Sequence, residues 1–294
     1  MLSSCDVFAL HTLVRKRVAE YSTAGMATVP TTRDQSLRSL ERGIAVIQVF
    51  SQEHPALTLS EVARLTNITR ATARRILLTL EKLGHVHSDG RLFSLTPRVL
   101  SLGWAYLASL NVPELALPLM EDLVERTKES CSMATLDPPD IVYVARVPTR
   151  RIMTVTLGIG ARLPAHATSM GRVLLAGLPD DDLERFLEET PLHRFTDKTI
   201  TDPSELRAAV IESREQGWAL VDQELELGLR SVAAPVTRLP SATVAAINVS
   251  AAAQRVSVDE FHERFLPALL ETAASISAAV GHSRSERWLG VESR

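Results

Sequence analysis

The stretch Thr69-Arg70-Ala71-Thr72-Ala73-Arg74-Arg75-Ile76-Leu77-Leu78-Thr79-Leu80-Glu81-Lys82-Leu83-Gly84 runs straight into His85-Val86-His87-Ser88-Asp89-Gly90-Arg91-Leu92-Phe93-Ser94-Leu95. At about 100° per residue, Ala73, Ile76, Leu77, Leu80 and Leu83 gather on one side of a helix. Ala71, Arg74, Arg75, Leu78 and Lys82 fall on the other. Thr69 opens the helix as a cap and Gly84 stops it. Asp89-Gly90 between two short runs predicts a hairpin whose two-residue turn has positive φ at both central positions.

Upstream, Leu37, Leu40, Ile44, Ile47 and Phe50 recur at helical spacing, which predicts a helix from Ser36 to near Ser51. A second helix follows from Ser60, capped by Thr58 or Ser60, with Val62, Ala63 and Leu65 apolar and a break at Asn67-Ile68. Three helices and a tight hairpin make a winged helix-turn-helix over 36–96. Residues 1–35 lack periodicity and read as a disordered lead, with Met26 as an alternative start. Thr96-Pro97 opens a linker helix over 97–112.

Residues 113–282 read as mixed α and β. Helices are expected at 113–129, 169–177, 180–189, 203–216 and 257–280. Strands are expected at 131–136, 141–147, 152–158, 218–221, 231–237 and 243–250. Short apolar strands such as Thr243 to Val249 suit a sheet covered by helices, so the fold class is α+β. A tail, 283–294, closes the chain.

Composition is that of a globular protein: 294 residues, 45% hydrophobic and 23% charged. No apolar run approaches the roughly 18 residues of a membrane span. The apolar stretch Val7 to Val14 precedes Arg15-Lys16-Arg17, the reverse of a secretory signal, so a cytoplasmic location is expected. Cys5 and Cys131 lie too far apart in sequence to suggest a metal site or disulfide framework. The net charge of −3 hides a split. Residues 36–98 carry +4 and residues 99–294 carry −8, a basic domain joined to an acidic one.

A recognition helix puts its N-terminal half into the major groove. There Arg74 or Arg75 would grip guanine, and Ala71 would touch a thymine methyl. Thr69, Arg70 and Thr72 sit where hydroxyls, free N–H groups and the helix dipole favour phosphate. Lys82 extends the same side, and Arg91 on the wing, with Ser39 and Arg42 on the first helix, are candidate backbone anchors. An arginine-bearing helix face is ordinarily just solvated. The tri-helical spacing, the basic charge and the wing together favour double-stranded DNA as partner.

In the second half, the hydroxyls of Thr168 and Ser169 and the N–H groups of Met170 and Gly171 open an apolar helix, a ready site for a carboxylate. A Ser or Thr there is more often only a cap. Met153 and Val155 alternate on one strand as an apolar wall, and Arg146 offers a guanidinium. His166 has no second ligand at metal spacing and reads as structural. No nucleophile elbow, phosphate loop or dinucleotide fingerprint occurs, so no catalytic residue, metal or cofactor is expected.

Several separated stretches resemble the IclR family of bacterial transcription regulators. They are Ser39-Leu40-Glu41-Arg42-Gly43, Thr72 to Leu77, Leu163-Pro164-Ala165-His166-Ala167-Thr168-Ser169-Met170-Gly171-Arg172, Leu227-Gly228-Leu229-Arg230 and Ala245 to Ser250. Tyr143-Val144-Ala145-Arg146-Val147-Pro148 with Arg150 to Met153 is similar to the PcaR, PcaU and PobR branch, which controls β-ketoadipate-pathway and aromatic-acid catabolism. Where the family usually has Pro and Lys before a Ser at the recognition helix, this chain has Thr69, Arg70 and Ala71. The resemblance implies a GAF-like effector domain with an antiparallel sheet, and a homodimer or dimer of dimers on a palindromic operator. It also implies a small carboxylate effector held near Ser169, Met170, Asp222, Ser231, Asn248 and Ser250. For an effector-responsive regulator, RNA polymerase is a further expected partner. The alternatives are an enzyme with an attached DNA-binding domain acting on a small carboxylic acid, and a purely architectural DNA binder.

Overall fold

The computed structural model describes residues 36–51, 54–103, 112–149, 158–238 and 242–282. These fall into two units, one ending at 103 and the other starting at 112. Among the described residues, no helix is long and apolar enough to cross a membrane.

The first unit runs α1 (Arg38–Gln48), β1 (Ala56–Thr58), α2 (Leu59–Leu65), α3 (Arg70–Lys82), β2 (Val86–Ser88) and β3 (Leu92–Leu95). The strands form a small antiparallel sheet in the order β1-β3-β2. Its core comprises Val46, Phe50, Leu57, Val62, Ala63, Ala73, Leu77, Leu80 and Val86. Thr58 caps α2 through a reciprocal box. Its hydroxyl accepts from Glu61 N at 3.3 Å, and its own N–H donates to Glu61 Oε2 at 2.8 Å. Thr69 caps α3 by accepting from Thr72 N at 3.2 Å. Gly84, at φ +80°, turns the chain out of α3.

Three details of this unit depart from the sequence expectation. Helix α1 ends at Gln48, and the core is met only by Val46, Ile47, Val49 and Phe50. Leu37, Leu40 and Ile44 share the helical spacing but are 68%, 60% and 48% exposed. The wing turn is displaced by one residue: inside the Ser88–Phe93 pair, Asp89 N–H donates to Leu92 O at 3.2 Å, so Gly90 and Arg91 are the central residues in place of Asp89 and Gly90. Only Gly90 takes positive φ, and Asp89 instead accepts the N–H groups of Arg91 and Leu92 at 2.9 and 2.7 Å. That side-chain bonding reinforces the backbone bond that closes the loop. Strand β1 is new, three residues being too few to show a period. After Thr96 the chain turns through a 3₁₀ helix, Pro97–Val99. The remainder of the expected linker helix, 104–111, lies outside the described residues.

The second unit contains α4 (Val112–Thr127), β4 (Ser130–Asp137), β5 (Asp140–Val147), β6 (Arg162–Pro164), α5 (Ser169–Ala176), α6 (Asp180–Glu189), α7 (Pro203–Gln216), β7 (Ala219–Asp222), β8 (Leu229–Arg238) and β9 (Ala242–Ala252). It ends with α8 (Leu266–His282), which follows a short turn, Val258–Glu260, and a π-helical turn, Phe261–Phe265. Pro267 has no N–H to donate back to the preceding turn, which accounts for the widened turn where one continuous helix was expected. The sheet is antiparallel throughout, in the order β6-β5-β4-β9-β8-β7. The expected strand at 152–158 lies almost wholly outside the described residues, and β6 was not anticipated. Helices α4 and α8 pack together and against the sheet, while α5 crosses β8, β9, β4 and β7 with α7 packed on it. Beneath α5, α6 and α7, a core of Tyr143, Met170, Leu174, Leu175, Phe186, Leu206 and their neighbours closes the layer.

Candidate nucleic-acid interface and effector site

The exposed side of α3 carries Arg70, Ala71, Arg74, Arg75, Leu78 and Lys82, with Thr72 half-buried, while Ala73, Leu77 and Leu80 point into the core. The side chains of Arg70, Arg74, Arg75 and Lys82 make no hydrogen bond or ion pair among the described residues. A helix that spends its apolar side on the core and leaves four cations without counter-ions offers an anion a continuous strip. The Thr69 hydroxyl lies 2.9 Å from that of Thr72 and is occupied in capping. Ser39 and Arg42 are exposed on α1, and Arg91 is exposed in the wing turn, so all ten expected residues belong to this unit.

In the second unit, strand register assembles the other site. Arg146 pairs with Ser132, Ser132 with Asn248, and Asn248 with Ala233, forming one row across four strands. One step along, Ser130 pairs with Ser250 and Ser250 with Ser231. Because partners across a ladder face the same way, these two rows share one face of the sheet. Ser130, Ser132, Ser231 and Asn248 are buried. The row is held by Ser132 N donating to Asn248 Oδ1 at 3.1 Å, and by Asn248 Nδ2 donating to Ser250 Oγ at 2.9 Å. Onto this face comes the first residue of α5, the Ser169 and Ser231 hydroxyls lying 2.8 Å apart.

Thr168 has already spent its one hydroxyl donor and caps the helix. Its hydroxyl accepts from Gly171 N at 3.1 Å and donates to Pro164 O at 3.2 Å. The N–H groups of Ser169 and Met170, by contrast, donate to nothing among the described residues, and they start α5 beside the serine row. Gly171 is required by packing: a Cβ there would lie 2.0 Å from the Ala165 carbonyl oxygen. Met170 is buried in the apolar layer. Arg146 is half-buried and makes no hydrogen bond or ion pair among the described residues. Its charge is felt by Tyr143, whose hydroxyl burial pushes up to about 12 while Arg146 works in the opposite direction.

Asp222 does not join this group. It pairs with Arg230, one residue before Ser231, and so lies on the opposite face. Its carboxylate accepts from Arg230 Nε at 2.8 Å and Lys198 Nζ at 2.7 Å. Burial would raise its pKa, but these bonds and one from Gln223 hold it below the usual carboxylate range. Met153 and Val155 lie outside the described residues. Ser130 and Ser132 were not singled out from sequence, although a Ser-x-Ser alternation in a buried strand was the available signal. Also unforeseen was the buried ion pair behind α5, Arg172 Nη2 to Glu224 Oε2 at 2.5 Å. His166 acts as a tether, its Nε2 3.0 Å from His193 O and its ring 5.8 Å from that of Phe195. Burial lowers its pKa to about 4.

The IclR helix-turn-helix domain matches residues 39–90, and the bacterial transcriptional regulator IclR C-terminal domain matches residues 104–278. The Pca regulon regulatory protein of Pseudomonas putida is 44% identical over 241 residues, which is 82% of this chain and 83% of that one. A crystal structure from Rhodococcus sp. RHA1 is 53% identical with a TM-score of 0.74, covering 83% of this chain and 98% of that one. The PobR inducer-binding domain from Acinetobacter, solved as a double mutant with 3-hydroxybenzoic acid, is 32% identical with a TM-score of 0.53. It spans 56% of this chain and 97% of the other.

Proposed function

We propose that this chain, which belongs to the IclR family of bacterial transcriptional regulators, holds a small aromatic acid on the serine-lined face beneath α5 and controls aromatic-acid catabolic genes, those of the protocatechuate and β-ketoadipate pathway, through α3. The observation that carries the effector half is the set of donors without a partner among the described residues around one face of the sheet: the Ser169 and Met170 N–H groups at β8 and, three strands away on β5, the Arg146 guanidinium. A carboxylate suits either donor set, and the serine and asparagine side chains suit ring hydroxyls. The similarity to a Pca regulon regulatory protein and to an inducer-binding domain carrying a hydroxybenzoate supports an acid of this class.

In this reading residues 36–96 bind DNA, 97–112 link, and 113–282 sense. Ser169, Met170, Gly171, Thr168, Ser231, Asn248, Ser250 and Arg146 shape the effector site, with Met153 and Val155 as its apolar wall. A cytoplasmic homodimer or dimer of dimers would match a palindromic operator, its half-sites about one helical turn apart, with RNA polymerase as a further partner. Ligand preference for one arrangement of the DNA-binding units would change operator affinity by about 1–3 kcal/mol.

The test is thermal unfolding with 4-hydroxybenzoate, protocatechuate and β-ketoadipate. A true effector at about 100 times its Kd stabilises the protein by about 2.7 kcal/mol, and Arg146→Ala and Ser231→Ala lose that gain. No stabilisation by any small organic acid contradicts the sensor reading.

A further inference from the structure

Leu78 lies on α3 where the fold makes no use of a leucine. It sits opposite the buried seam of Ala73 and Leu80 and is 43% exposed. Ala71, Arg75, Leu78 and Lys82 follow one another at intervals of four, three and four residues, and therefore form a single stripe, with Arg74 beside it. A lone exposed leucine is ordinary on a protein surface. This one is bracketed a turn before and a turn after by cations without counter-ions among the described residues, so the surface that covers it has to be polyanionic on both sides and apolar between.

A DNA major groove has that character. Phosphates line its edges, and its one apolar substituent is the 5-methyl group of thymine. Resting on the reading that α3 enters DNA, we propose that Leu78 is a specificity-determining residue that packs on a thymine methyl. The thymine lies within about two base-pair steps of the base gripped by Arg75. The rise from Arg75 to Leu78 is about 4.5 Å along the helix, against about 3.4 Å per base step. A helix lying along the groove thus brings both side chains to neighbouring pairs, while Lys82 reaches a flanking phosphate. A protein partner fits less well, since it would need an acidic rim matched to Arg74, Arg75 and Lys82.

The experiment uses the full chain to select duplexes from a random pool, followed by affinity titration of the selected half-site with each thymine replaced in turn by deoxyuridine. One replacement is expected to weaken wild-type binding roughly fourfold, the worth of one buried methyl. The same replacement should leave Leu78→Ala unaffected, and selection with Leu78→Ala should relax at that position alone. Wild-type affinity indifferent to every deoxyuridine, or an identical motif selected by Leu78→Ala, overturns the assignment of Leu78 while leaving α3 as a DNA-binding helix. If wild type enriches no sequence at all, the DNA reading beneath it fails as well.

Discussion

The hydroxyls of Ser169 and Ser231 share a hydrogen bond of 2.8 Å that ties the first residue of α5 to β8. Both side chains are buried, so neither oxygen has water as a ready substitute. Ser169→Ala and Ser231→Ala each leave one hydroxyl stranded and should cost about 1–2 kcal/mol. The double variant should cost less than the sum, with a coupling of about 1 kcal/mol in urea unfolding. Additive losses would mean that the bond contributes nothing of its own.

Gly171→Ala should be far more damaging than an ordinary Gly-to-Ala change in a helix, which stabilises. The new methyl would meet the Ala165 carbonyl oxygen at 2.0 Å and its Cα at 2.5 Å, both backbone atoms that cannot rotate away. A loss of at least about 3 kcal/mol is expected, the upper end for forced repacking, measured as a fall in the urea midpoint. A neutral result would show that α5 can slide on the 165–167 turn.

Arg172 and Glu224 are both buried and meet at 2.5 Å. Glu224→Gln or Arg172→Met alone should cost about 3–5 kcal/mol by leaving an uncompensated charge. Changing both to apolar residues of similar volume should recover much of that loss. Equal penalties for single and double changes would contradict a paired role.

His166 sets a pH dependence. Folded, its pKa falls to about 4 because burial disfavours the charged ring, against an ordinary value of 6.5. Between those values the unfolded chain binds more protons than the folded one, so stability rises with pH across the window. It is fully present above about 6.5 and is lost as pH falls towards about 4, by about 3 kcal/mol at most. In His166→Gln that slope should flatten in a series of urea titrations. An unchanged slope would place the titration elsewhere.

The amphipathic reading of α3 succeeded because its core contacts, Ala73, Leu77 and Leu80, obey the helical period within one element. The same rule misled at Leu37, Leu40 and Ile44, since a period shows that residues share a side and not whether anything covers it. The wing turn was expected one residue early because Asp89 pairs with Leu92 across the loop, through its N–H and its carboxylate, and leaves Gly90 and Arg91 at the centre. In the candidate effector site, Ser169 was legible from a helix start, while Asn248 and Ser250 came only with the family resemblance. Asp222, Ser130 and Ser132 were not legible, because their faces depend on which residue of a neighbouring strand they oppose, and register is invisible in one strand alone.

Control of genes through DNA requires α3 to turn its leucine seam inward and its arginines towards a duplex. The most direct measurement is fluorescence anisotropy of the full chain on the intergenic DNA beside its own gene, with wild type, Arg74→Ala and Arg75→Ala matched for helical content. Loss of at least one arginine should weaken specific binding by about 1–3 kcal/mol and relax preference at one base position. If both variants bind as tightly and as selectively as wild type, α3 is not the reading element.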